Sequence, residues 1–315
     1  MRFVSSIYYG KGNHCRGKKE GMPLKKWIAL ILAALIALSS AWCTRRTETV
    51  VRFRVVTSFY PLYIMALNIT DGVAGVQVDN MAGQQAGCLH DYQLQSKDMK
   101  NIEQANVFVI NGAGMESFMD KVTSRLPSLK VVDTSAGVEL LEDEQGTPNP
   151  HLWVSISNYM IQLKNMSEGL CEADPQDAPA FRKNTQVYLE KLSALSEKMH
   201  SELDHVPQKN IITFHEAFPY FAQEFGLNIA AVVNREPDSQ PSAKELAETI
   251  RLIRNVGISA VFAEPQYPKS AANIVAQESG ATVYTLDPGV TGENDKNAYL
   301  NAMEQNLSVL KRALS

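Results

Sequence analysis

The chain has 315 residues, with 30 lysine and arginine residues against 34 aspartate and glutamate residues, and a formal net charge of −4 at pH 7. Residues 1–43 hold seven of the basic residues and one of the acidic ones, so the remainder carries 23 basic and 33 acidic residues, a net charge of −10. Such a surface argues against nucleic acid or an anionic membrane as the main partner and is compatible with handling cations. About 270 residues are enough for two domains of ordinary size.

The start of the chain has the features of an export signal. A short basic region precedes the uncharged apolar run Trp27–Leu38, which has the length of a signal core and is too short for a permanent membrane anchor. We expect translation to start at Met22 and treat residues 1–43 as a leader. Two outcomes stay open at its end: lipidation of Cys43, as in a bacterial lipoprotein tethered to a membrane, or simple cleavage after Ala41.

The four cysteines do not form a disulfide framework. Cys15 and Cys43 belong to the leader, which leaves Cys88 and Cys171 in the folded part. A single bridge between these two stays open. Cys88 lies two residues before His90, so its thiolate is one candidate metal ligand, although the preferred interpretation is a small, half-buried thiol.

The first half of the mature chain alternates short β-branched runs with amphipathic stretches. Pro61 suits the first turn of a helix, and Ser96 is the expected N-cap of another, with Asp98 in its first turn. The predicted elements are strand Arg52–Thr57, helix Leu62–Thr70, strand Val76–Met81, a helix from Ser96, strand Val107–Ile110, helix Glu116–Arg125 and strand Leu129–Asp133. The alternation predicts a parallel sheet with helices on both faces.

A helical spacing of apolar residues then runs from Pro175 to about Leu203. Phe181, Leu192 and Met199 fall on one face, and no glycine or proline follows Pro179 in this stretch. The pattern predicts one helix of about seven turns, unusually long for a globular domain. Its place midway along the mature chain favours a stiff connector between two lobes.

The second half repeats the same α/β pattern. Ser242 and Glu245 are spaced as a capping box at the start of one helix. The predicted elements are strand Asn210–Thr213, helix Phe218–Phe225, strand Ile229–Val233, helix Ser242–Asn255, strand Ala260–Ala263, helix Ser270–Ser279, strand Thr282–Leu286 and helix Tyr299–Ala313. We therefore predict an α/β fold of two Rossmann-like lobes with mostly parallel sheets, joined by one long rigid connector helix. The expected boundaries are leader 1–43, N-terminal lobe 44–174, connector 175–206 and C-terminal lobe 207–315.

Three histidines, His90, His151 and His215, lie at strand ends or in loops about sixty residues apart. Neutral imidazole is the commonest metal ligand near neutral pH, and three imidazoles suit a zinc-type cation. Asp287 follows the last predicted strand and offers an oxygen. Because ligands sit beyond the carboxyl ends of strands in open α/β sheets, two ligands from each lobe would hold the ion in the cleft between them. We interpret the other mature histidines, His200 and His205, as solvated.

Several local sequences together resemble one family, the zinc/manganese-type solute-binding proteins of ABC metal importers (cluster A-I, ZnuA/TroA-like). The resemblance covers essentially everything after the leader. It is carried, in chain order, by Thr57–Leu62, His90–Leu94, Asn111–Glu116, Asn149–Trp153, Thr213–Phe218, Ala263–Gln266 and Leu286–Pro288.

The resemblance implies a two-lobed fold with the cation held between the lobes by His90, His151, His215 and Asp287. Manganese-type members have glutamate at the third position, where this chain has His215. Imidazole favours zinc and carboxylate-rich sites favour manganese, so the expected cargo is Zn²⁺, with Mn²⁺ as the alternative. Glu264, at another strand end, is ranked as a supporting or structural carboxylate. Many zinc members carry a histidine-rich loop before the second ligand, whereas here the stretch 142–148 is short and contains no histidine.

The expected function is extracytoplasmic: a monomeric, periplasmic or lipid-anchored carrier, not an enzyme, that delivers its ion to the membrane permease of an ABC importer. Two other classes are weighed against it. A zinc hydrolase would keep Asp287 off the metal and use a base such as Glu216, but the sequence contains neither His-Glu-x-x-His nor G-x-S-x-G. A surface adhesin would use the outer face of a lipid-anchored form, and no residue identifies a receptor.

Overall fold

The computed structural model describes residues 50–84, 87–89, 92–142, 146–233 and 241–315. The leader expected over residues 1–43, including Met22 and Cys43, lies outside the described residues. None of the helices in the described part of the chain is both long enough and apolar enough to span a membrane.

The first sheet contains four parallel strands in the order β2-β1-β3-β4. Its strands are β1 (Phe53–Thr57), β2 (Val76–Asn80), β3 (Val107–Ile110) and β4 (Lys130–Asp133), and its helices are α1 (Tyr60–Ile69), α2 (Ser96–Glu103), α3 (Met119–Arg125) and α4 (Ile156–Ala173). The central strand β3 is buried along its whole length, as expected for a strand covered on both faces.

The second sheet repeats this arrangement, with four parallel strands in the order β6-β5-β7-β8. Its strands are β5 (Asn210–Thr213), β6 (Asn228–Val232), β7 (Ala260–Ala263) and β8 (Thr282–Thr285), and its helices are α6 (Pro219–Glu224), α7 (Ala243–Val256), α8 (Ser270–Ser279) and α9 (Ala298–Ala313). At the start of α7, Ser242 and Glu245 form the predicted capping box, with backbone-to-side-chain distances of 2.7 and 3.2 Å.

The long helix predicted in the middle of the chain is α5 (Ala178–Leu203), which packs against α1 and α4 of the first lobe and α9 of the second. Beside it, Tyr159 of α4 stacks on Tyr299 of α9 with ring centroids 3.7 Å apart, and the ring of Tyr188 lies edge-on to Tyr159. The two lobes and the long helix therefore share one aromatic core. The predicted α/β class and two-lobed fold are confirmed; the domain boundaries stay a prediction.

Helix α4 is absent from the elements expected from the sequence. Its cap is Ser155, whose hydroxyl accepts a hydrogen bond from the backbone N–H of Asn158 at 3.2 Å. Gly169 lets the helix lie close to β4, because a Cβ atom at this position would come within 2.5 Å of the side chain of Val132. The close packing of this helix on the sheet therefore depends on the glycine at position 169.

One predicted helix start and one predicted N-cap are wrong. The expected helix at Glu116 begins only at Met119, because the Glu116 carboxylate instead accepts hydrogen bonds from the backbone N–H groups of Asn111 and Gly112. Ser96 is not an N-cap but the first residue of α2; Gln95 precedes the helix, and its N–H donates to Asp98 at 2.7 Å. Cys88 and Cys171 are both free thiols, so the bridge left open above does not form.

Candidate metal centre

His215 and Glu264 meet at the carboxyl end of the second sheet. His215 follows β5 by two residues and Glu264 follows β7 directly, and these two strands are neighbours at the centre of the sheet. The connections from β5 and β7 leave to opposite sides there, which opens a crevice of the kind that binds ligands in α/β proteins. The His215 Nδ1 atom lies 2.7 Å from Glu264 Oε1, and the two side chains are only 1% and 2% exposed.

His151 is contributed by the loop before α4 and is oriented by Asn149. The Asn149 Oδ1 atom accepts a hydrogen bond from the backbone N–H of His151 at 3.0 Å and lies 2.9 Å from its ring Nδ1. The Asn149 amide nitrogen donates to the backbone carbonyl of Glu216 at 3.0 Å, which fixes the orientation of the amide. Asn149 thus connects the His151 loop to the segment that follows His215.

These contacts define which ring nitrogen of each histidine faces a cation. The Asn149 Oδ1 atom and an ionised Glu264 accept hydrogen bonds, which favours the tautomer with the proton on Nδ1 and the lone pair on Nε2 of each ring. The two imidazoles lie edge-to-face, with centroids 4.8 Å apart, and both residues are buried. Orientation of a metal-ligating imidazole by a carboxylate or carbonyl on its far nitrogen is the usual arrangement in metal sites.

Cys88 brings a third donor to the same place. One donor atom from each of Cys88, His151 and His215 lies within 4.8 Å of the others. Among the residues that the structure describes, these three form a group that could hold a metal ion. Donors bound to one tetrahedral zinc ion are about 3.3–3.6 Å apart, given Zn–N distances of about 2.0–2.1 Å and Zn–S of about 2.3 Å. Small side-chain movements would therefore bring all three onto one ion.

Burial raises the pKa values of two acidic groups at this site, the Cys88 thiol and the Glu264 carboxyl. Burial raises the pKa of the Cys88 thiol well above its ordinary value, and the negative charge of Glu264 adds to the rise. Burial likewise raises the pKa of Glu264, although its hydrogen bond with His215 works against that rise. A dication bound here would stabilise both negative charges, so the electrostatics of the site favour a cation.

Asp287 lies beside this group without belonging to it. It follows β8 by two residues, and its charge contributes to the raised pKa of Glu264. Its Oδ1 atom accepts hydrogen bonds from the backbone N–H of Gly289 at 2.8 Å and from the side chain of Gln266 at 3.2 Å. The carboxylate is thus held at the site's edge, outside the 4.8 Å donor group.

The remaining expectations divide into three groups. His90, the first predicted ligand, and its neighbour Asp91 lie outside the described residues. His205 is exposed, as expected. His200 is half-buried: its side chain is 38% exposed, its Nδ1 atom lies 3.0 Å from Asp204, and its ring centroid lies 4.8 Å from that of Phe225, so the expectation of a solvated residue holds only for His205. Glu216 contacts the site through its backbone carbonyl, which accepts from Asn149.

The first sheet has its own buried carboxylate at the corresponding place. Glu116 accepts hydrogen bonds from Ser58, which follows β1, and from the backbone of Asn111, which follows β3. Burial raises the Glu116 pKa to about 7 in spite of these bonds. The Asn111 side chain also donates to the carbonyl of Pro150 at 2.9 Å, so this network supports the residue directly before His151.

Two similar α/β lobes around one aromatic core, with two imidazoles and a thiol brought close together, are the architecture of the two-lobed solute-binding proteins. Residues 55–313 match the sequence model of the family described as zinc-uptake complex component A, periplasmic (ZnuA), and the chain belongs to this family. The predicted family is confirmed, and this family consists of substrate-binding proteins.

Named relatives and a solved structure agree with this placement. The chain is 29% identical over 307 residues to the zinc-binding lipoprotein AdcA of Streptococcus pneumoniae serotype 4, covering 91% of this chain and 61% of AdcA. It is 27% identical over 316 residues to the high-affinity zinc uptake system protein ZnuA of Bacillus subtilis strain 168, covering 92% of this chain and 98% of ZnuA. The structure of the SBP FpvC from Pseudomonas aeruginosa in complex with Mn²⁺ superposes with a TM-score of 0.75 at 27% identity, covering 84% of this chain and 98% of FpvC.

Proposed function

We propose that the protein captures a divalent metal ion, zinc in preference to manganese, outside the cytoplasm and delivers it to the membrane permease of an ABC-type importer. The observation that carries this proposal is the buried pair His151 and His215, whose ring centroids lie 4.8 Å apart and whose Nδ1 atoms each lie within 2.9 Å of an acceptor. The Nε2 atoms are the proposed ligand atoms. Membership of the zinc-uptake family supports it.

The proposed ion-binding residues are His90, His151, His215 and Asp287. His151 and His215 are supported by their burial and by their partners Asn149 and Glu264. Asp287 is supported by its place at the end of β8, close enough for its charge to affect Glu264. His90, which lies outside the described residues, is proposed from the family resemblance alone.

Zinc is proposed as the cargo because the buried donors next to each other are imidazole nitrogens rather than carboxylate oxygens. Imidazole suits zinc, whereas manganese prefers a site rich in carboxylate and water. Relatives named as zinc-binding or as zinc uptake proteins agree with this choice. A manganese-specific carrier of the same family is the alternative.

We propose that the lobes rearrange only modestly when the ion leaves. The hydroxyl of Tyr60 in the first lobe donates to the backbone carbonyl of Glu293 at 2.7 Å, and Tyr63 donates to the Asn294 side chain at 3.0 Å. These bonds and the aromatic core around α5 oppose wide separation of the lobes. Release would then come from movement of the loops that carry the ion-binding residues, when the permease docks.

The carrier is proposed to be monomeric and non-enzymatic, and to divide into the leader, lobes and connector expected from the sequence: residues 1–43, 44–174, 175–206 and 207–315. In such a carrier the ion leaves unchanged, so no general base or substrate pocket beside the metal is needed. Attachment to a membrane through a lipid at Cys43 belongs to the same proposal, with a free periplasmic form as the alternative.

The proposal is tested by metal analysis of the purified full-length chain and by competitive titration of Zn²⁺ against Mn²⁺. We expect one zinc ion per chain and displacement of manganese by zinc. His151→Ala and His215→Ala should each lower the zinc affinity at least about 100-fold, since even the loss of a supporting residue costs about 10–100-fold. His205→Ala, on an exposed histidine, is the matched control and should leave the affinity unchanged.

Two results would contradict this proposal. One is stoichiometric manganese retained against excess zinc, which would reverse the choice of cargo. The other is zinc affinity unchanged in both His151→Ala and His215→Ala, which would place the site elsewhere. Transport assays in cells lacking the importer's carrier, complemented with this chain, test the delivery step separately.

A further inference from the structure

Cys88 lies beside the two buried imidazoles of His151 and His215. The residue before it, Gly87, has a φ of +73°, a conformation that glycine adopts without strain. The residue after it, Leu89, is fully buried, and its carbonyl accepts a hydrogen bond from the N–H of Tyr92 at 3.0 Å. The half-buried thiol lies between these two residues, with its sulfur within 4.8 Å of donor nitrogens of His151 and His215.

A buried carboxylate next to this cluster provides an independent indication of a cation. Glu264 is 3% exposed, and its Oε1 atom contacts His215. Its other oxygen, Oε2, has no hydrogen-bond partner among the residues that the structure describes. Negative charge buried in this way is costly unless a positive charge compensates it. A metal ion held by Cys88, His151 and His215 would supply that charge.

We propose that the sulfur of Cys88 is a direct ligand of the ion that the site carries, together with the imidazoles of His151 and His215. This inference rests on the proposed function and changes one feature of its site: the three donors leave a single position of a tetrahedral ion, so His90 and Asp287 do not both bind the ion directly. When the metal–sulfur bond forms, the thiol proton leaves to solvent, as metal binding to a thiol requires. Asp287, held by Gly289 and Gln266, contributes mainly its charge.

A thiolate ligand has a direct consequence for specificity. Soft sulfur donors select zinc and monovalent copper, whereas manganese favours oxygen donors. Cys88 therefore acts as a specificity-determining residue. Its sulfur strengthens the preference for zinc that the two imidazoles establish. The carboxylate of Asp287, at the edge of the site, does not reverse that preference.

The test is zinc X-ray absorption spectroscopy on the full-length chain loaded with one equivalent of Zn²⁺. We expect a sulfur shell at about 2.3 Å in addition to nitrogen and oxygen at about 2.0–2.1 Å. Cys88→Ser should remove the sulfur shell, lower the zinc affinity at least about tenfold, and lower the zinc-over-manganese preference by a similar factor. Cys171→Ser is the matched control, since this buried thiol donates to the carbonyl of Ala178 in another part of the first lobe.

A second measurement does not depend on how well the variant folds. The wild-type chain loaded with Co²⁺ should show the near-ultraviolet absorption of a thiolate-to-cobalt charge transfer, and zinc should abolish it by displacement. Zinc bound by nitrogen and oxygen alone, or a sulfur shell that persists in Cys88→Ser, overturns the assignment of Cys88 while leaving the carrier function intact. A wild-type chain that binds no zinc overturns the proposed function, and this inference with it.

Discussion

The Nδ1 atom of His215 lies 2.7 Å from the Oε1 atom of Glu264, and both side chains are almost completely buried at the ends of two neighbouring parallel strands. This contact orients the ring and places a carboxyl group behind the Nε2 atom that would face the proposed ion. The first prediction concerns the strength of that support.

Replacing Glu264 by alanine is expected to lower the zinc affinity about 10–100-fold, because the His215 ring loses the acceptor that orients it. Glu264→Gln keeps an acceptor and should retain more of the affinity than Glu264→Ala. Competitive titration with a chromogenic chelator measures both values. The control is Glu278→Ala, on an exposed side chain of α8. Equal zinc affinity in Glu264→Ala and wild type would show that the contact does not support binding.

His215→Glu is expected to lose zinc affinity without gaining manganese affinity. The new carboxylate would lie beside Glu264, and two buried carboxylates in contact hold a shared proton because their like charges repel. The double variant His215→Glu with Glu264→Gln removes that repulsion, so it should gain manganese affinity relative to the single variant. Titrations with both metals decide. A single variant that already binds manganese as well as the double variant would refute the argument.

The stability of the ion-free protein should fall as the pH rises from about 4.5 to about 7, as far as Glu116 contributes. The folded-state pKa of this buried carboxyl is raised from 4.5 to about 7, so the folded state binds its proton more tightly than the unfolded state does. This contribution is fully present below pH 4.5 and is lost as the pH rises through 7. Through this group, the free energy of unfolding falls by at most about 1.4 kcal/mol for each pH unit in this range.

The measurement is urea unfolding at several pH values with a chelator present. Glu116→Gln, which cannot ionise, should show a shallower dependence, so the difference in unfolding free energy between wild type and variant should change across this range. A difference that stays constant from pH 4.5 to 7 would mean that Glu116 does not titrate there.

Tyr299→Phe is expected to lower the free energy of unfolding by about 1–3 kcal/mol. The Tyr299 hydroxyl donates to the backbone carbonyl of Trp153 at 2.8 Å across the two lobes, and its removal leaves a buried carbonyl without that partner. The stack with Tyr159 is retained in this variant. Tyr284→Phe, on a half-buried residue of β8, is the matched control and should change stability by less than about 0.5 kcal/mol. Similar losses in both variants would argue against a special role for the bond.

The sequence predicts the parts of the fold and of the site in which residues are brought together because they follow adjacent strands of one sheet. His215 and Asp287 each come two residues after a strand of the second sheet, and parallel strands end at the same edge of a sheet, so their general location followed from the pattern. The long helix α5 was predictable because a regular apolar spacing runs through it without interruption. The position of Glu264 at a strand end could be predicted from the sequence, but its contact with His215 depends on the three-dimensional fold.

The failures have specific physical causes. Helix α4 has a serine cap at Ser155 and apolar residues at helical spacing, Ile156, Tyr159 and Leu163, so the sequence does carry a signal for this helix. Glu116 has helical propensity, but its carboxylate instead accepts hydrogen bonds from three donors: the Ser58 hydroxyl and the backbone N–H groups of Asn111 and Gly112. The proximity of Cys88 to His151 and His215 joins residues that lie more than sixty positions apart in the chain, which no local pattern encodes.

The indole N–H of Trp153 donates to the carbonyl of Pro288 at 2.8 Å, which joins the chain two residues after His151 to the residue directly after Asp287. Neither loop can be displaced alone without breaking this bond. A force applied at either one is therefore transmitted to the other, so a partner that contacts a single edge of the protein can loosen both sides of the site at once.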